Sequence, residues 1–498
     1  MKLSRDWMLD RFLARDARCN GRFVTGVTTT GIYCLPSCSA RKPNPENIVF
    51  FDGEDGAKRA GLRACRRCRP DRFYRDHDPD RERLEAAVRR LSAEPERFSD
   101  VGALAEACEV GVTKLTGLAR AHFPASPLEL VAGARVERAC ALLADGREPP
   151  GHRHAKHGLT ERASAAEIGF AVGFESLSAF HDNFVARTGL APGEYRRMLG
   201  AREFELALAP NARPDLAFAH SARDPQSPTE RLVGARLERG ELVDGRPALV
   251  VLEHADRRVR VRVESSRAPS REALAHVHRL AARLLGLGGL GASPDAFERR
   301  VRRERALAGW LGDRAGMRVA RSPSVFEALV RTVCAQQVNL GFAFACRRDL
   351  VLRTGARLDG ERAAHPTAAE LAALDYADLE RLKFSRRKAE FLIDAARSVE
   401  RGEVELEALA HGSATHAARS LGAIRGLGTW SVQSLSMFGC GFADCVPLGD
   451  VGIERSLQEF FELDERPDDE RTLALLAPFA PYRSLASLHL WKRLGITP

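Results

Sequence analysis

The sequence contains no run of about 18 consecutive apolar residues, the length that a membrane-spanning helix needs. The first ten residues, Met1–Asp10, carry too many charges to resemble a signal peptide. These two absences lead us to expect a cytoplasmic protein with no membrane partner. Without an export signal, the 11 cysteines do not indicate a disulfide framework, so clustered cysteines are interpreted first as metal ligands or reactive thiols.

No repeat of solenoid period occurs either, and 498 residues are enough for about three domains. Hydrophobic residues make up 44% and charged residues 29%, which is typical of a soluble globular chain that folds throughout. Lys and Arg outnumber Asp and Glu 76 to 67, for a formal charge of +9. That excess is compatible with a polyanionic partner, although a generally basic proteome explains it equally well.

The residue composition and the spacing of apolar residues change three times along the chain. A turn-rich, cysteine-containing segment precedes a segment with apolar residues at helical spacing. The strictly alternating stretch Arg258-Val-Arg-Val-Arg-Val-Glu264 then predicts a strand with one buried face, and helical patterns with glycine-rich turns follow. We predict a multidomain, mainly α protein with α+β parts. The predicted domains are residues 1–80, 81–200, 201–266 and 267–498.

The first segment contains two short cysteine pairs with 26 residues between them: Cys34-Leu-Pro-Ser-Cys38 and Cys65-Arg-Arg-Cys68. Four thiolates around one Zn²⁺ form a closed tetrahedral site, and the metal affinity would add to the folding free energy of a small polar domain. The pattern therefore predicts a zinc site. Free cysteines or an iron–sulfur cluster are the alternatives.

Specific residues surround these pairs. They are Phe23-Val-Thr-Gly-Val-Thr-Thr-Thr-Gly-Ile-Tyr-Cys34, Ser37-Cys38-Ser-Ala-Arg41 and Gly61-Leu-Arg-Ala-Cys-Arg-Arg-Cys68. The three stretches closely resemble the N-terminal domain of Ada-type adaptive-response proteins. The resemblance implies that Cys34 irreversibly accepts a methyl group from a methyl phosphotriester in DNA. Leu35 and Ala64 depart from the arginine and proline that the family commonly has there, and a purely structural zinc knuckle is the alternative.

The implied zinc ion would be bound by Cys34, Cys38, Cys65 and Cys68, with both a structural and a thiolate-activating role. Zinc keeps a bound sulfur as thiolate, which is the nucleophilic form. A methyl phosphotriester has lost its negative charge, so an anionic sulfur meets less repulsion there than at an ordinary phosphate. Sixteen basic against eleven acidic residues in positions 1–80 would help to hold the flanking phosphates.

Two helix-turn-helix patterns follow in the second segment. Residues 99–123 predict two helices joined by a turn at Glu109-Val-Gly-Val112. Residues 164–189 predict the same arrangement with the turn around Gly173. Two such units in tandem predict DNA binding, with each second helix entering a major groove. The loop at 146–162, with His152, His154 and His157, is interpreted as a solvated insertion rather than a metal site.

The second unit carries a longer signature. It includes Ala166-Glu-Ile-Gly-Phe-Ala-Val-Gly-Phe-Glu-Ser-Leu-Ser-Ala-Phe180, Phe184, Gly189-Leu-Ala-Pro192 and Tyr195-Arg196. This run resembles the C-terminal signature of AraC-type regulators. The resemblance implies a recognition helix that begins at residues 175–181, with promoter DNA and RNA polymerase as partners. A helical spacer that keeps the fold without specific DNA binding is the alternative.

The stretch Leu421-Gly-Ala-Ile-Arg-Gly-Leu-Gly-Thr-Trp430 has the form of a helix-hairpin-helix turn. Gly426 and Gly428 would let the backbone turn tightly and present amides to a DNA phosphate. Twenty residues after Trp430, the run Pro447-Leu-Gly-Asp450-Val-Gly452 places one carboxylate just beyond the second hairpin helix. Taken alone, such an aspartate is more often a helix cap.

Further runs extend this pattern. They are Ser324-Val-Phe-Glu-Ala-Leu-Val-Arg-Thr-Val-Cys-Ala-Gln-Gln-Val-Asn339, Arg387-Lys-Ala-Glu390 and Pro481-Tyr-Arg-Ser-Leu-Ala-Ser-Leu-His-Leu-Trp491. Together with the hairpin they resemble helix-hairpin-helix DNA glycosylases, in particular the AlkA-type 3-methyladenine glycosylases. The resemblance covers roughly residues 204–491, so the strands before Glu264 correspond to the small N-terminal sheet of that fold. Ser434 stands where a third aromatic pocket residue is expected.

This resemblance assigns roles to individual residues. Asp450 is the catalytic carboxylate, Trp430 and Trp491 line the base pocket, and Gln337, with Gln336 beside it, fills the gap left by a flipped-out nucleotide. Bifunctional relatives carry lysine at the position of Trp430, and tryptophan cannot form a Schiff base, so we predict a monofunctional hydrolase. No iron–sulfur cluster is expected, because no C-terminal cysteine cluster occurs.

Two readings of the whole chain remain. In the first, an active glycosylase for alkylated purines is joined to a methylation-sensing transcription activator, which acts as a monomer on damaged duplex DNA and promoter DNA. In the second, the chain is chiefly a regulator whose glycosylase half has decayed. No Pro-Cys-His-Arg motif occurs, so direct repair of O-methylated guanine is not expected.

Overall fold

A computed structural model describes residues 3–16, 19–76, 78–145, 163–289 and 293–495. The chain forms two compact units, Met1–Arg83 and Leu84–Pro498. The three histidines of the loop at 146–162 lie outside the described residues. Within the described ranges, no helix has both the length and the apolar character that crossing a membrane requires.

The first unit is built on a small four-stranded sheet. The strand order is β3-β1-β2-β4, in which β1 pairs antiparallel with β2 and β3, and β4 runs parallel to β2. Its apolar clusters are small, one of them formed around Phe12, Cys19, Phe23 and Ile48. The elements are α1 (Arg5–Leu13), β1 (Val24–Val27), β2 (Ile32–Cys34), β3 (Ile48–Phe51), α2 (Glu54–Arg59), β4 (Arg63–Ala64) and α3 (Pro70–Asp76).

The second unit begins with helices, and the two predicted helix-turn-helix arrangements are both present. Asp100, Ser164 and Ser176 cap helices by accepting hydrogen bonds from backbone N–H groups three residues ahead. Gly173 adopts φ +99° in the turn of the second arrangement. The helices are α4 (Pro79–Ala93), whose first five residues belong to the first unit, α5 (Val101–Ala107), α6 (Val112–His122), α7 (Pro127–Asp145), α8 (Ala165–Ala171), α9 (Leu177–Thr188) and α10 (Pro192–Met198).

A five-stranded antiparallel sheet follows, in the order β5-β9-β8-β7-β6. The predicted alternation is confirmed in β9, where Val259, Val261 and Val263 are buried while the arginines between them face outward. The elements are β5 (Glu203–Ala207), α11 (Pro214–Ser221), β6 (Glu230–Val233), β7 (Arg236–Val243), β8 (Arg246–Ala255) and β9 (Arg258–Glu264).

One hydrophobic core joins the second helix-turn-helix to this sheet. It contains Phe184 and Tyr195 from the helices, Val250 and Val261 from the strands, and residues of α12. Polar contacts reinforce it, since the Nε2 atom of His278 on α12 lies 2.8 Å from the carbonyl oxygen of Thr188. These elements therefore pack as one body within the second unit.

The rest of the second unit is helical around a separate large core. A π-helical turn, Ser436–Cys440, follows α20 directly. The helices are α12 (Arg271–Leu284), α13 (Pro294–Arg303), α14 (Val325–Ala335), α15 (Leu340–Thr354), α16 (Ala368–Ala372), α17 (Tyr376–Arg381), α18 (Arg386–Glu400), α19 (Ala414–Ala423), α20 (Thr429–Leu435), α21 (Val451–Phe460), α22 (Asp469–Leu476) and α23 (Arg483–Arg493).

A buried ion cluster connects the sheet to these helices. Arg239 on β7 lies 3.2 Å from Glu230 and 2.6 Å from Glu327 of α14. Arg331 and Arg347 contact Glu230 at 2.6 and 2.9 Å. Burial alone would raise the pKa of Glu230, but the neighbouring arginines outweigh it and hold the net pKa well below its usual range. The cluster stays ionised, and three of its residues, Glu230, Arg239 and Arg331, line the cavity described below.

Candidate active site and metal centre

The four clustered cysteines of the first unit converge on one point. The sulfur atoms of Cys34, Cys38, Cys65 and Cys68 all lie within 4.8 Å of one another, and the sulfurs of Cys38 and Cys65 are 4.0 Å apart. Four sulfurs at about 2.3 Å from a tetrahedral zinc ion are roughly 3.8 Å apart. The cluster therefore fits one Zn²⁺ with only a small contraction.

The position of Cys34 in the cluster is set by the sheet. Cys34 ends β2 and pairs with Thr25 of β1, so its backbone is held by the ladder rather than by a free loop. Its side chain is 6% exposed, whereas Cys68 is only half-buried. The pKa of the Cys34 thiol is raised, mainly by a hydrogen bond with Cys68 and secondly by burial. A cation among the four sulfurs would favour the thiolate instead, so the site suits a divalent metal.

The glycine-rich turn of the second unit joins α19 to α20, as the hairpin pattern predicts. Gly426 adopts φ +94°, and a Cβ built there would lie 2.3 Å from the ring of Phe391, so a larger residue does not fit. Gly428 precedes α20, and a Cβ there would meet no described atom within 4 Å. At Gly426 the turn packs against Phe391 and has no room for a side chain, whereas at Gly428 it has free space.

Asp450 is the N-cap of α21, and its carboxylate accepts three hydrogen bonds. Oδ1 accepts from the backbone N–H of Ile453 at 3.0 Å and from Nε1 of Trp491 at 2.8 Å, and Oδ2 accepts from Nε1 of Trp430 at 2.9 Å. Trp430 lies at the start of α20 and Trp491 near the end of α23, so three separate helices hold one carboxylate. Asp450 is therefore a helix cap, as expected of an isolated aspartate, and it also stands at the position predicted for the catalytic carboxylate.

A cavity of about 400 Å³ opens beside this carboxylate. Asp450, Trp430 and Trp491 line it, together with aromatic rings from two further segments. Phe438 stacks on Trp491 with ring centroids 5.9 Å apart, and His220 stacks on Phe438 at 5.3 Å. The volume and the flat aromatic lining suit a planar heterocyclic ligand.

Phe438 and His220 are the site residues that sequence reasoning missed. Phe438 lies in the π-helical turn four residues after Ser434, the position where an aromatic side chain was expected. Ser434 itself is buried in the cavity wall, so the missing ring comes from further along the same helical stretch. The spacing of four residues, one helical turn, was the available signal for Phe438. No comparable pattern pointed to His220.

The two predicted glutamines differ in their surroundings. The Nε2 atom of Gln336 donates to the carbonyl of Gly426 and to the hydroxyl of Ser431, each at 2.9 Å, so this side chain ties the end of α14 to the hairpin. Gln337 is exposed and adopts φ +52°, a left-handed conformation that non-glycine residues rarely take. Of the two, only Gln337 projects from the turn.

For the base-release activity that the sequence predicts, the substitution Trp430→Phe should lower kcat/KM about tenfold, because a hydrogen bond to a charged group contributes about 1.5–3 kcal/mol. Phenylalanine keeps a flat ring in the cavity but removes the N–H that holds Oδ2 of Asp450. Steady-state kinetics on methylated duplex DNA provide the measurement.

The matched control is Trp310→Phe. Trp310 is a buried core residue of the same unit, and its Nε1 has no hydrogen-bond partner among the described residues. We expect wild-type kinetics from this variant. A Trp430→Phe enzyme as active as Trp310→Phe would contradict the role given to the Nε1 contact.

The helix α9 begins at Leu177, within two residues of the expected start of the recognition helix. Its first two turns expose Leu177, Ser178, His181 and Asp182, while Phe180 and Phe184 pack into the core. Side chains on this face are accessible enough to contact the major groove of a DNA duplex.

Three domain families match the chain. The metal-binding domain of Ada matches residues 8–71, a helix-turn-helix domain matches residues 151–198, and the HhH-GPD superfamily of base excision DNA repair proteins matches residues 330–481. The second and third matches include the exposed α9 helix and the hairpin with Asp450, respectively.

Whole-chain similarity points in the same direction. The chain is 28% identical over 501 residues to a Mycobacterium tuberculosis protein described as a probable bifunctional transcriptional activator/DNA repair enzyme AlkA, covering 97% of this chain and 95% of that protein. It is 35% identical over 189 residues to a putative DNA-3-methyladenine glycosylase of Bacillus subtilis, covering 38% of this chain and 66% of that protein.

A solved structure shows the same fold. The 3-methyladenine DNA glycosylase from Archaeoglobus fulgidus superposes with a TM-score of 0.51 at 20% sequence identity, covering 59% of this chain and 99% of that chain. At this level of identity the likeness concerns the fold alone.

Proposed function

Because this chain is a fusion of an Ada-type zinc-binding domain, a helix-turn-helix domain and a glycosylase domain of the HhH-GPD superfamily, we propose that its C-terminal part hydrolyses the N-glycosidic bond of alkylated purines in DNA. The substrates are 3-methyladenine and 7-methylguanine. One observation carries the proposal: a carboxylate held by two tryptophan N–H groups faces an aromatic cavity.

The contacts of Asp450 determine what its carboxylate can do. Oδ1 accepts two hydrogen bonds and Oδ2 accepts one, so Oδ2 keeps a lone pair for a water molecule or for the sugar. As the bond from C1′ to the base nitrogen breaks, the electron pair leaves with the base and positive charge develops on the sugar. The carboxylate stabilises that charge and orients the water whose oxygen bonds to C1′, and it accepts the proton that this water loses.

The aromatic lining supports the choice of alkylated purines. N-alkylation makes the base cationic and a better leaving group. Trp430 and Trp491 flank the carboxylate, and Phe438 extends the stack beyond Trp491. Flat rings attract a cationic base by stacking and cation–π interaction, and Trp is the strongest partner of this kind.

A base inside a duplex cannot reach Asp450, so the nucleotide must rotate out of the helix. Gln337 is exposed at the turn between α14 and α15, and we assign it the role of filling the vacated space. Gln336, through its bonds to Gly426 and Ser431, would keep that turn in register with the hairpin. Gly426 and Gly428 would let the hairpin approach a DNA phosphate.

The reaction should be hydrolysis alone. Trp430 has no amine that could form a Schiff base with the sugar, and it stands on the hairpin where lyases need one. Incubation of the full chain with methylated duplex DNA should release free 3-methyladenine and 7-methylguanine and leave intact abasic strands. Borohydride should trap no covalent complex with DNA. A trapped complex would contradict the monofunctional mechanism, and no base release by folded protein would overturn the proposed activity.

For the N-terminal part, we propose that Cys34 accepts a methyl group from a DNA methyl phosphotriester. The Cys34 sulfur forms the new S–C bond, the C–O bond of the ester breaks, and the phosphate leaves as an ordinary diester anion. Zinc bound by Cys34, Cys38, Cys65 and Cys68 would keep the attacking sulfur as thiolate. Mass spectrometry tests this directly, because a methyl group should appear on Cys34 after incubation with methylated DNA and on no other cysteine.

The helix-turn-helix helices would read promoter DNA through the exposed start of α9. Methylation turns a thiolate into a neutral thioether and removes one negative charge, which would strengthen DNA binding. We further propose action as a monomer, in the compartment that holds the DNA, with RNA polymerase as the partner that reads out activation. Promoter binding before and after methylation of Cys34 tests the switch.

A further inference from the structure

One wall of the cavity beside Asp450 is a helix that changes its geometry midway. Trp430 and Ser434 lie on α20 and Phe438 lies in the π-helical turn that follows it, and all three line the cavity. In a continuous α-helix each residue turns the side-chain direction by about 100°, so Phe438 would point roughly 80° away from Trp430. A π turn is wider and rotates less per residue. It therefore turns Phe438 back towards the face that carries Trp430.

This π-helical turn is held from outside by an arginine. A π turn interrupts the regular hydrogen bonds of a helix, so carbonyl groups near it need other partners. Nη2 of Arg283, at the end of α12, donates to the carbonyl oxygen of Gly439 at 2.5 Å, and Nε donates to the carbonyl oxygen of Ser322 at 2.8 Å. The backbone N–H of Ser322 donates to the carbonyl oxygen of Phe438 at 2.9 Å. Arg283 thus ties the turn to the segment before α14.

Both of the segments that Arg283 ties together belong to the cavity wall, since Ser322 and Phe438 line it. The ring of Phe438 stacks on Trp491 at 5.9 Å, and Nε1 of Trp491 donates to the carboxylate of Asp450. A displacement of the π-helical turn would therefore change the shape of the cavity. It would also reach the carboxylate through the ring stack and the tryptophan N–H.

We infer that Arg283 is a positioning residue for base release: it holds the π-helical turn and thereby fixes the ring of Phe438 against Trp491. This role rests on the proposed glycosylase function. Arg283 itself does not line the cavity, so its effect on the reaction passes through the residues that it holds. The planar guanidinium suits the task, because its fixed fork of N–H groups reaches two carbonyl oxygens at once.

A clamp between backbone carbonyls can also serve stability alone, and the chain contains a second clamp of the same kind. Arg397 on α18 donates from Nε to the carbonyl oxygen of Ala372 at 3.1 Å and from Nη2 to that of Leu374 at 2.9 Å. Arg397 is half-buried, as Arg283 is. Neither Arg397 nor the two residues that it holds line the cavity. Arg397→Met is therefore a matched control that separates stability from positioning.

The test measures single-turnover release of methylated purines from duplex DNA. Arg283→Met should slow release between about 10- and 10²-fold, the scale of a small misplacement of the reacting groups. Arg397→Met should release the bases at the wild-type rate, although it loses an equivalent clamp. Affinity for undamaged duplex DNA should be unchanged in both variants, because no base then occupies the cavity.

A double-mutant cycle tests whether Arg283 acts through Phe438. Phe438→Leu should slow release by itself, and adding Arg283→Met to it should cause little further loss. Losses that multiply in the double variant would contradict the route through Phe438. Arg283→Lys, a second variant that keeps the positive charge, should also slow release, because one ammonium group replaces the fork that holds two carbonyl oxygens.

The outcomes distinguish the positioning role from the activity on which it rests. Release by folded Arg283→Met and Arg283→Lys at the rate of Arg397→Met would overturn the positioning role and leave the glycosylase function standing. No release by the wild type would instead overturn the glycosylase function and the positioning role with it.

Discussion

Asp450→Asn is expected to slow the release of methylated purines by roughly 10²- to 10³-fold, the scale of loss when one preorganised electrostatic contact is removed. The substitution removes the negative charge that, in the proposed mechanism, faces the developing oxocarbenium ion. It also puts an amide N–H₂ group against Trp430 or Trp491, both of which donate to the carboxylate in the native site. Charge and orientation of the proposed catalytic group would be lost together.

Helix stability should not confuse the result, because asparagine is as good an N-cap as aspartate and can still accept from Ile453. The chain offers a matched control in Asp468→Asn. Asp468 caps α22 in the same way, accepting from the N–H of Arg471 at 2.8 Å, and it lies away from the aromatic cavity. Single-turnover release should match the wild type in Asp468→Asn. Equal rates in the two variants would exclude Asp450 as the catalytic carboxylate.

Loss of the metal should unfold the first unit, Met1–Arg83, while base release by the second unit continues. The apolar clusters of the first unit contain few residues, so its folding depends on the cysteine site. Structural zinc contributes about 10–16 kcal/mol in zinc-finger peptides, more than such clusters can replace. Limited proteolysis after chelation, followed by mass spectrometry, should show cleavage confined to this unit.

Cys38→Ala should reproduce the effect of chelation, because it removes one of the four converging sulfurs. Cys19→Ala is the matched control, since Cys19 is equally buried in the same unit but belongs to an apolar cluster. That variant should lose only the modest stability of a small core truncation. Protease resistance of Cys38→Ala equal to that of Cys19→Ala would show that the four sulfurs do not support the fold.

The parts of the molecule predicted from sequence are those with a short, strict spacing. Two cysteine pairs can chelate one ion only if the chain folds back on itself, and the four sulfurs do converge. The alternation in β9 and the two helix-turn-helix patterns are local periodicities that tertiary packing preserved. The role of Asp450 stays a prediction, but its contacts with both predicted tryptophans support it.

The remaining features depend on contacts between distant segments. His220 and Phe438 are 218 positions apart in the sequence, and only the packing of α11 against the π-helical turn brings their rings together. The ion cluster likewise collects Glu230, Arg239 and Glu327 from a sheet and a helix. No periodicity in a single sequence predicts these long-range contacts, because each residue taken alone is an ordinary polar or aromatic residue.

The core that joins the second helix-turn-helix to the five-stranded sheet restricts how this helix-turn-helix can be exchanged during evolution. A module that shares a core with its neighbour cannot be exchanged by recombination alone, because Phe184 and Tyr195 would lose the partners against which they pack. Grafting the corresponding helices from another regulator should give an insoluble chimera unless the matching face, including His278, is transferred too. New promoter preferences in this lineage are therefore expected to arise by substitution on the exposed face of α9 rather than by swapping the domain.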